Sequence, residues 1–309
     1  MFKVSHNRAL LSLEISTRTP LSIRAGDIGL EPGSSDMVCI RTRHAEHGAT
    51  VFIPGSSLRG VIRSTAEAAL RGALGPAAAC DPADQRRNCG SLPPPKGEPD
   101  GASIHRASCL ACRLFGSTTL KARCSVRDLF PFPYTASPLS DEQRKNFERA
   151  NSVEVRPGVF IGRLEGSVRH GPFEQEMVPA GVRFFGDIAL ENYQFWQLGL
   201  LLSAIDELDA GFSQLGSGKS KGLGVVQARV VSLLHQQRAK QGGPKGVAAL
   251  VSKQDIDRYG LKPDGDFPNV ADNHEQRGFL EQFSVSANHI EEWKSVALRS
   301  LAQLVAGAK

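Results

Sequence analysis

The sequence predicts an α+β fold, a ferredoxin-like (RRM-like) palm of βαββαβ order. Two observations carry that prediction. Residues 9–16 and 182–190 alternate apolar and polar side chains, with Leu11, Leu13 and Ile15 in one and Val182, Phe184, Ile188 and Leu190 in the other. A period of two is the mark of a half-buried strand. Residues 58–71 and 194–209 instead place Leu58, Ile62, Ala66 and Leu70, and Leu198, Leu201, Leu202, Ile205 and Leu208, at helical spacing.

Taken in order, the strand at 9–16 is followed by an irregular stretch to residue 50, rich in Gly, Asp, Arg and His. The first helix follows Pro54-Gly-Ser-Ser57, where Ser56 or Ser57 serves as N-cap and Gly72 as the stop. Residues 73–108 read as an insertion without regular structure, because Pro82, Pro93, Pro94, Pro95 and Pro99 break any element. Residues 122–130 read as the second strand, followed by a Pro-rich turn and a polar stretch to about residue 152. The third strand, the second helix and a last strand at 222–233 complete the order. A polar linker at 236–246 precedes a tail whose final helix carries Ile290, Trp293, Ala297, Leu301 and Leu304 on one face.

Composition narrows the function classes. With 40% hydrophobic and 22% charged residues, the chain of 309 can bury a core and is not a disordered polymer. No run approaches the ~18 apolar residues a membrane span needs, so a cytoplasmic location without membrane partners is expected. A net charge of +5 is compatible with nucleic acid without requiring it. In a reducing compartment the six cysteines are expected as thiols, which turns any cluster of them towards metal.

Such a cluster exists. Cys80, Cys89, Cys109 and Cys112 lie in or beside the Pro/Gly-rich insertion, and the last two have the spacing that lets two thiolates face one ion. Tetrahedral Zn2+ accepts four thiolates and can order a loop that lacks an apolar core. His105 is a possible substitute ligand, whereas Cys39 and Cys124 read as packing residues.

Cations gather at two further places. Gly216-Ser-Gly-Lys-Ser-Lys-Gly-Leu-Gly224 looks like a Walker loop, but Ser213 stands where the first Gly is required, and the loop follows a helix instead of preceding one. ATPase chemistry is therefore not expected, while Lys219 and Lys221 beside glycines suit close approach of a phosphate backbone. Arg41, Arg43, Arg59 and Arg63 form the second group, with Arg59 and Arg63 one turn apart and Ser56 and Ser57 at the positive helix end. A solvated turn and an exposed basic helix face explain the same two patterns equally simply.

These segments together resemble a known family. Phe52-Ile-Pro-Gly-Ser-Ser-Leu-Arg-Gly60, Cys109-Leu-Ala-Cys-Arg-Leu-Phe-Gly116, residues 123–128, Val153-Glu-Val-Arg-Pro-Gly158 and 216–224 occur in the order found in RAMP-superfamily backbone subunits of type III CRISPR effector complexes. The resemblance spans residues 8–232 and implies guide-RNA binding along the phosphate backbone, with cleavage of the paired target RNA. It implies a domain at 1–235 with a zinc-binding insertion at about 73–112 and a thumb β-hairpin at about 153–180 that brings Arg163 and Arg169; the linker and C-terminal helical extension at 236–309 lie outside the resemblance. It also singles out Asp36, in Ser35-Asp-Met-Val-Cys-Ile-Arg41, as the catalytic residue of a Mg2+- or Mn2+-dependent endoribonuclease; Met37-Val38 replaces the family's usual Asn-Pro. The implied partners are guide CRISPR RNA, target RNA and other subunits, including copies or paralogues of the chain. A non-catalytic RNA-binding subunit and a stand-alone zinc-containing RNA-binding protein are the other readings.

Overall fold

In the computed structural model, residues 3–24, 37–91, 100–161, 164, 166–239, 241–264, 268 and 270–307 are described; for 160, 161 and 168–172 only the backbone is. The strands and helices run β1 (Asn7–Thr17), β2 (Arg41–His44), β3 (Gly48–Val51), α1 (Gly55–Leu74), α2 (Gly101–Ala107), α3 (Leu110–Phe115), β4 (Cys124–Val126), α4 (Asp141–Asn151), β5 (Glu154–Ile161) and β6 (Val168–Met177). Then follow β7 (Arg183–Glu191), α5 (Phe195–Asp209), β8 (Val226–Arg238), α6 (Lys253–Tyr259), β9 (Asn273–Arg277), β10 (Leu280–Ser286) and α7 (Ala287–Ala306).

Among the described residues, six strands form one antiparallel sheet in the order β4–β7–β1–β8–β10–β9. The alternation read in the sequence sets which face is buried. Leu11, Leu13 and Ile15 of β1 and Phe184, Ile188 and Leu190 of β7 point into one core with Leu58, Ile62, Ala66 and Leu70 of α1. The cores of α1 and α5 thus cover one face of the sheet. No helix among the described residues is long and apolar enough to cross a membrane.

Five local expectations are corrected. Helix α1 begins at Gly55 behind Pro54, without a side-chain cap, and runs through Gly72 to Leu74. The Asp128 carboxylate accepts the Gly55 N–H at 2.8 Å, so a group distant in sequence does what Ser56 or Ser57 was expected to do. The strand expected at 122–130 pairs regularly over only three residues. The insertion contains α2, whose N-cap Asp100 accepts from Ala102 and Ser103 N–H groups. The polar stretch before residue 152 contains α4, opened by a capping box of Ser140 and Gln143, the Ser-x-x-Gln signal of a helix start.

The fifth correction concerns the C-terminal segment. It adds two strands as well as a helix, and β10 pairs with β8 from Leu280–Arg238 to Ser286–Ser232. Helix α7 packs Ile290, Trp293, Val296 and Ala297 against α5, which is why α5 is buried nearly all round instead of along one stripe. The two helices cross at Gly199, where a Cβ would overlap the Ala297 carbonyl. Strands β5 and β6 form a separate two-stranded hairpin in the region where the resemblance implied one. It is tied to the body through Met37, which donates to the Glu174 carbonyl at 3.0 Å and accepts from Glu176 N–H at 2.8 Å.

Candidate metal centre and nucleic-acid surface

The four cysteines converge from three places in the chain. Cys109 is the N-cap of α3 and Cys112 lies in its first turn, so one helix start presents both sulfurs to the same side. Cys80 and Cys89 arrive from the loops that follow α1, and all four sulfurs lie within 4.8 Å of one another. A four-coordinate ion with metal–sulfur bonds of about 2.3 Å separates its ligands by about 3.8 Å. The Cys80 and Cys112 sulfurs are 3.6 Å apart. The donor set and its spacing therefore fit a metal ion.

Backbone amides support the sulfurs. Cys80 and Cys112 N–H donate to the Cys109 sulfur, each at 3.4 Å, and Cys109 N–H donates to the Cys89 sulfur at 3.3 Å. Hydrogen bonds from the Cys112 and Cys89 thiols hold the Cys109 thiol below its ordinary range, favouring a thiolate there. His105 is not a ligand. Its Nδ1 donates to the Tyr259 carbonyl at 2.8 Å, and burial pushes its pKa down to about 3. Cys39 and Cys124 are buried away from the cluster, as packing residues should be.

The face of α1 read as basic turns towards this centre. Arg59 donates to the Phe115 carbonyl. Arg63 donates to Glu67 at 2.7 Å, to the Gly116 carbonyl at 3.1 Å and to the Cys112 sulfur at 3.6 Å. Arg71 donates to the Ala79 carbonyl at 2.9 Å and the Cys80 carbonyl at 2.6 Å. Both guanidinium groups that the spacing suggested for phosphate are thus engaged inside the chain. Glu67 and Arg71 were missed, although Arg59, Arg63, Glu67 and Arg71 follow one another at intervals of four, the spacing of a single helix face.

The remaining cations stand elsewhere. Lys219 and Lys221 are exposed on a single 3₁₀ turn, Lys219–Lys221, between left-handed Gly218 and Gly222. The turn is anchored by Ser217 N–H to the Ser22 carbonyl at 2.8 Å and Gly224 N–H to the Pro20 carbonyl at 3.0 Å. The Lys221 ammonium lies 5.2 Å from the centre of the Phe173 ring on β6, so the glycine loop touches the hairpin. That contact had no signal in the sequence.

Arg41 is paired with Glu176 of β6 at 2.8 Å. Ser56 is exposed and Ser57 half-buried in the first turn of α1, where Ser57 N–H bonds the Pro54 carbonyl at 3.0 Å. Asp36 and Arg163 lie outside the described residues, as does the side chain of Arg169.

Comparison with known proteins places the chain in a family. The sequence model of the RAMP superfamily matches residues 14–227. A curated relative, the CRISPR system Cms endoribonuclease Csm3 of Methanothermobacter thermautotrophicus, is 24% identical over 282 residues, covering 85% of this chain and 95% of the relative. A chain in a solved structure titled Type IV-B CRISPR Complex is similar with a TM-score of 0.47 and 19% identity, over 72% of this chain and 89% of that one.

Proposed function

Because the chain belongs to the RAMP superfamily, we propose that it is a backbone subunit of a type III CRISPR effector complex that binds guide RNA and cuts the paired target RNA. The family match over residues 14–227 is the observation that carries this reading. The strand order β4–β7–β1–β8, with α1 and α5 as the two crossovers, supports a ferredoxin-like palm. The β5–β6 hairpin beside it corresponds to the thumb. The cysteine cluster is read as a structural zinc centre, since zinc is the common ion of a four-thiolate site.

Guide contacts are assigned to Lys219, Lys221, Arg41, Ser56 and Ser57, with Arg163 and Arg169 from the hairpin. A subunit that repeats along a guide must accept any base, so it holds phosphates and sugars and leaves base edges free for the target. The chemistry is attack of a target 2′-hydroxyl on its neighbouring phosphate, with the 5′-oxygen leaving. The hairpin contributes by splaying one nucleotide so that the attack is in line, a gain of positioning. Asp36 would orient that hydroxyl or hold a Mg2+ or Mn2+ ion, which would supply positive charge to offset that developing on the phosphate.

The decisive experiment compares wild type with Asp36→Ala in an assembled complex supplied with Mg2+ or Mn2+. Loss of target cleavage with guide binding retained is expected. Unchanged cleavage removes Asp36 from the reaction. A wild-type complex that binds guide and target without cutting leaves the chain a structural subunit.

A further inference from the structure

We propose that Arg63, Glu67 and Arg71 of α1 form an outer shell of the four-cysteine centre, in which Arg63 is a positioning residue for the thiolates. The proposal rests on the metal reading of that cluster. Four thiolates around a divalent ion leave a formal charge of about −2 in a half-buried place. Charge taken out of water needs a counter-charge or hydrogen bonds. Among the described residues, Arg63 supplies both at a cluster sulfur: its Nη2 donates to Cys112 Sγ at 3.6 Å.

The rest of its guanidinium is held in place. Nη1 donates to the carbonyl of Gly116, the residue that ends α3, and Nε donates to Glu67. Glu67 is only 5% exposed, an unusual place for a carboxylate. Its neighbours explain it: it pairs with Arg63 at 2.7 Å on one side and Arg71 at 3.5 Å on the other. Arg71 then grips the Cys80 backbone through the Cys80 carbonyl.

The ladder therefore holds the centre at two ligands, Cys112 by its sulfur and Cys80 by its main chain. Steps of four residues on a helix are about 6 Å apart along its axis, so the rigidity of α1 presets how far apart the two grips stand. Outer partners of metal ligands orient them, and losing one commonly weakens binding 10–100-fold. A half-buried Arg–Glu–Arg row is also a poor phosphate receptor, since its charge is partly neutralised by Glu67 and many of its donors already have partners inside the chain. The α1 face serves the metal, and guide contact falls to other residues.

The test uses the full chain loaded with Zn2+, and separately with Co2+, whose thiolate charge-transfer bands report the sulfurs. Arg63→Met is expected to speed metal release to a chromogenic chelator by 10–100-fold. It should also move the cobalt charge-transfer band to lower energy, because a sulfur freed of an N–H donor gives up its electrons more readily. Glu67→Gln should do the same more weakly, and Arg63→Lys should restore part of the loss. Arg144→Met, on an exposed turn of α4, serves as the control and should release metal as wild type does.

Release and band position unchanged in Arg63→Met, with the fold intact by circular dichroism, would overturn the proposal. Faster release without a band shift also overturns it, because that result describes general loosening. If Arg63→Met fails to fold, the band positions of Arg63→Lys and Glu67→Gln decide. Wild-type protein that takes up neither ion fails at an earlier step and overturns the metal reading itself.

Discussion

At the residue scale, side chains of the same type have different work. Lys219 and Lys221 are exposed on a glycine-flanked turn, whereas Arg59 donates to a carbonyl and Arg63 to a carbonyl, a carboxylate and a sulfur. Lys219→Ala and Lys221→Ala are therefore expected to weaken guide binding about equally for all sequences. Each should also lower the salt dependence by about 0.7 in log–log slope, one phosphate contact on a single strand. Titrations of two unrelated guides across a salt series check this, and a loss confined to one guide contradicts it. Gly224 has a structural task in the same loop. Its φ is +79° and a Cβ would overlap the Leu215 carbonyl, so Gly224→Ala should destabilise the fold by at least ~1–2 kcal/mol in denaturant titration.

At the element scale, the segment after β8 is part of the structure that holds the site. Helix α7 buries Trp293 completely and its indole N–H donates to the Val270 carbonyl at 2.7 Å. Trp293→Ala should cost ~3–5 kcal/mol and be visible as a lowered melting temperature. Helix α6 reaches the cysteine insertion: the Tyr259 carbonyl accepts from His105, the Asp257 carbonyl from Arg106 at 3.1 Å and the Gly260 carbonyl from Arg113 at 2.9 Å. The insertion is thus held by α6 as well as by its four-cysteine cluster. Treating the zinc-loaded chain with a chelator should remove about one equivalent of metal. It should then raise amide exchange in residues 80–91 while β1, β7 and β8 stay protected; exchange rising equally in those strands would show that the core depends on the metal.

At the scale of the whole molecule, Asp264 links the C-terminal segment to the start of α5. Its carboxylate accepts from Phe195 N–H at 3.1 Å and Ala248 N–H at 3.0 Å. Burial raises its pKa to about 6 despite those donors. The folded form then binds the proton more tightly than the unfolded chain, so its contribution is full below pH ~4 and is lost as pH rises through about 6. The stability of wild type minus that of Asp264→Asn should fall across that window. Urea midpoints measured at pH 4 to 7 check the sign; a difference that rises with pH refutes it.

Much of the architecture was legible because it rests on periodicity. The alternation of Leu11, Leu13 and Ile15 and the spacing of Leu58, Ile62, Ala66 and Leu70 are local records of which face meets the core, and those elements stand where the pattern put them. The cysteines could be grouped from the Cys109–Cys112 spacing, since two thiolates three residues apart at a helix start have little choice of direction. Strand β9 escaped notice because it is polar, and β10 because Phe283 and Val285 alternate with serines over only four residues, behind Glu281 and Gln282, which are buried and satisfied by Gln237 and Gln236. What only the tertiary structure decided was which partner each charge meets. Spacing places Arg59 and Arg63 on one helix face, but the fold decides that this face looks onto α3 and four sulfurs. Sequence patterns carry the distinction between inside and outside. The choice of partner depends on which distant segments arrive there, and only the folded chain contains that.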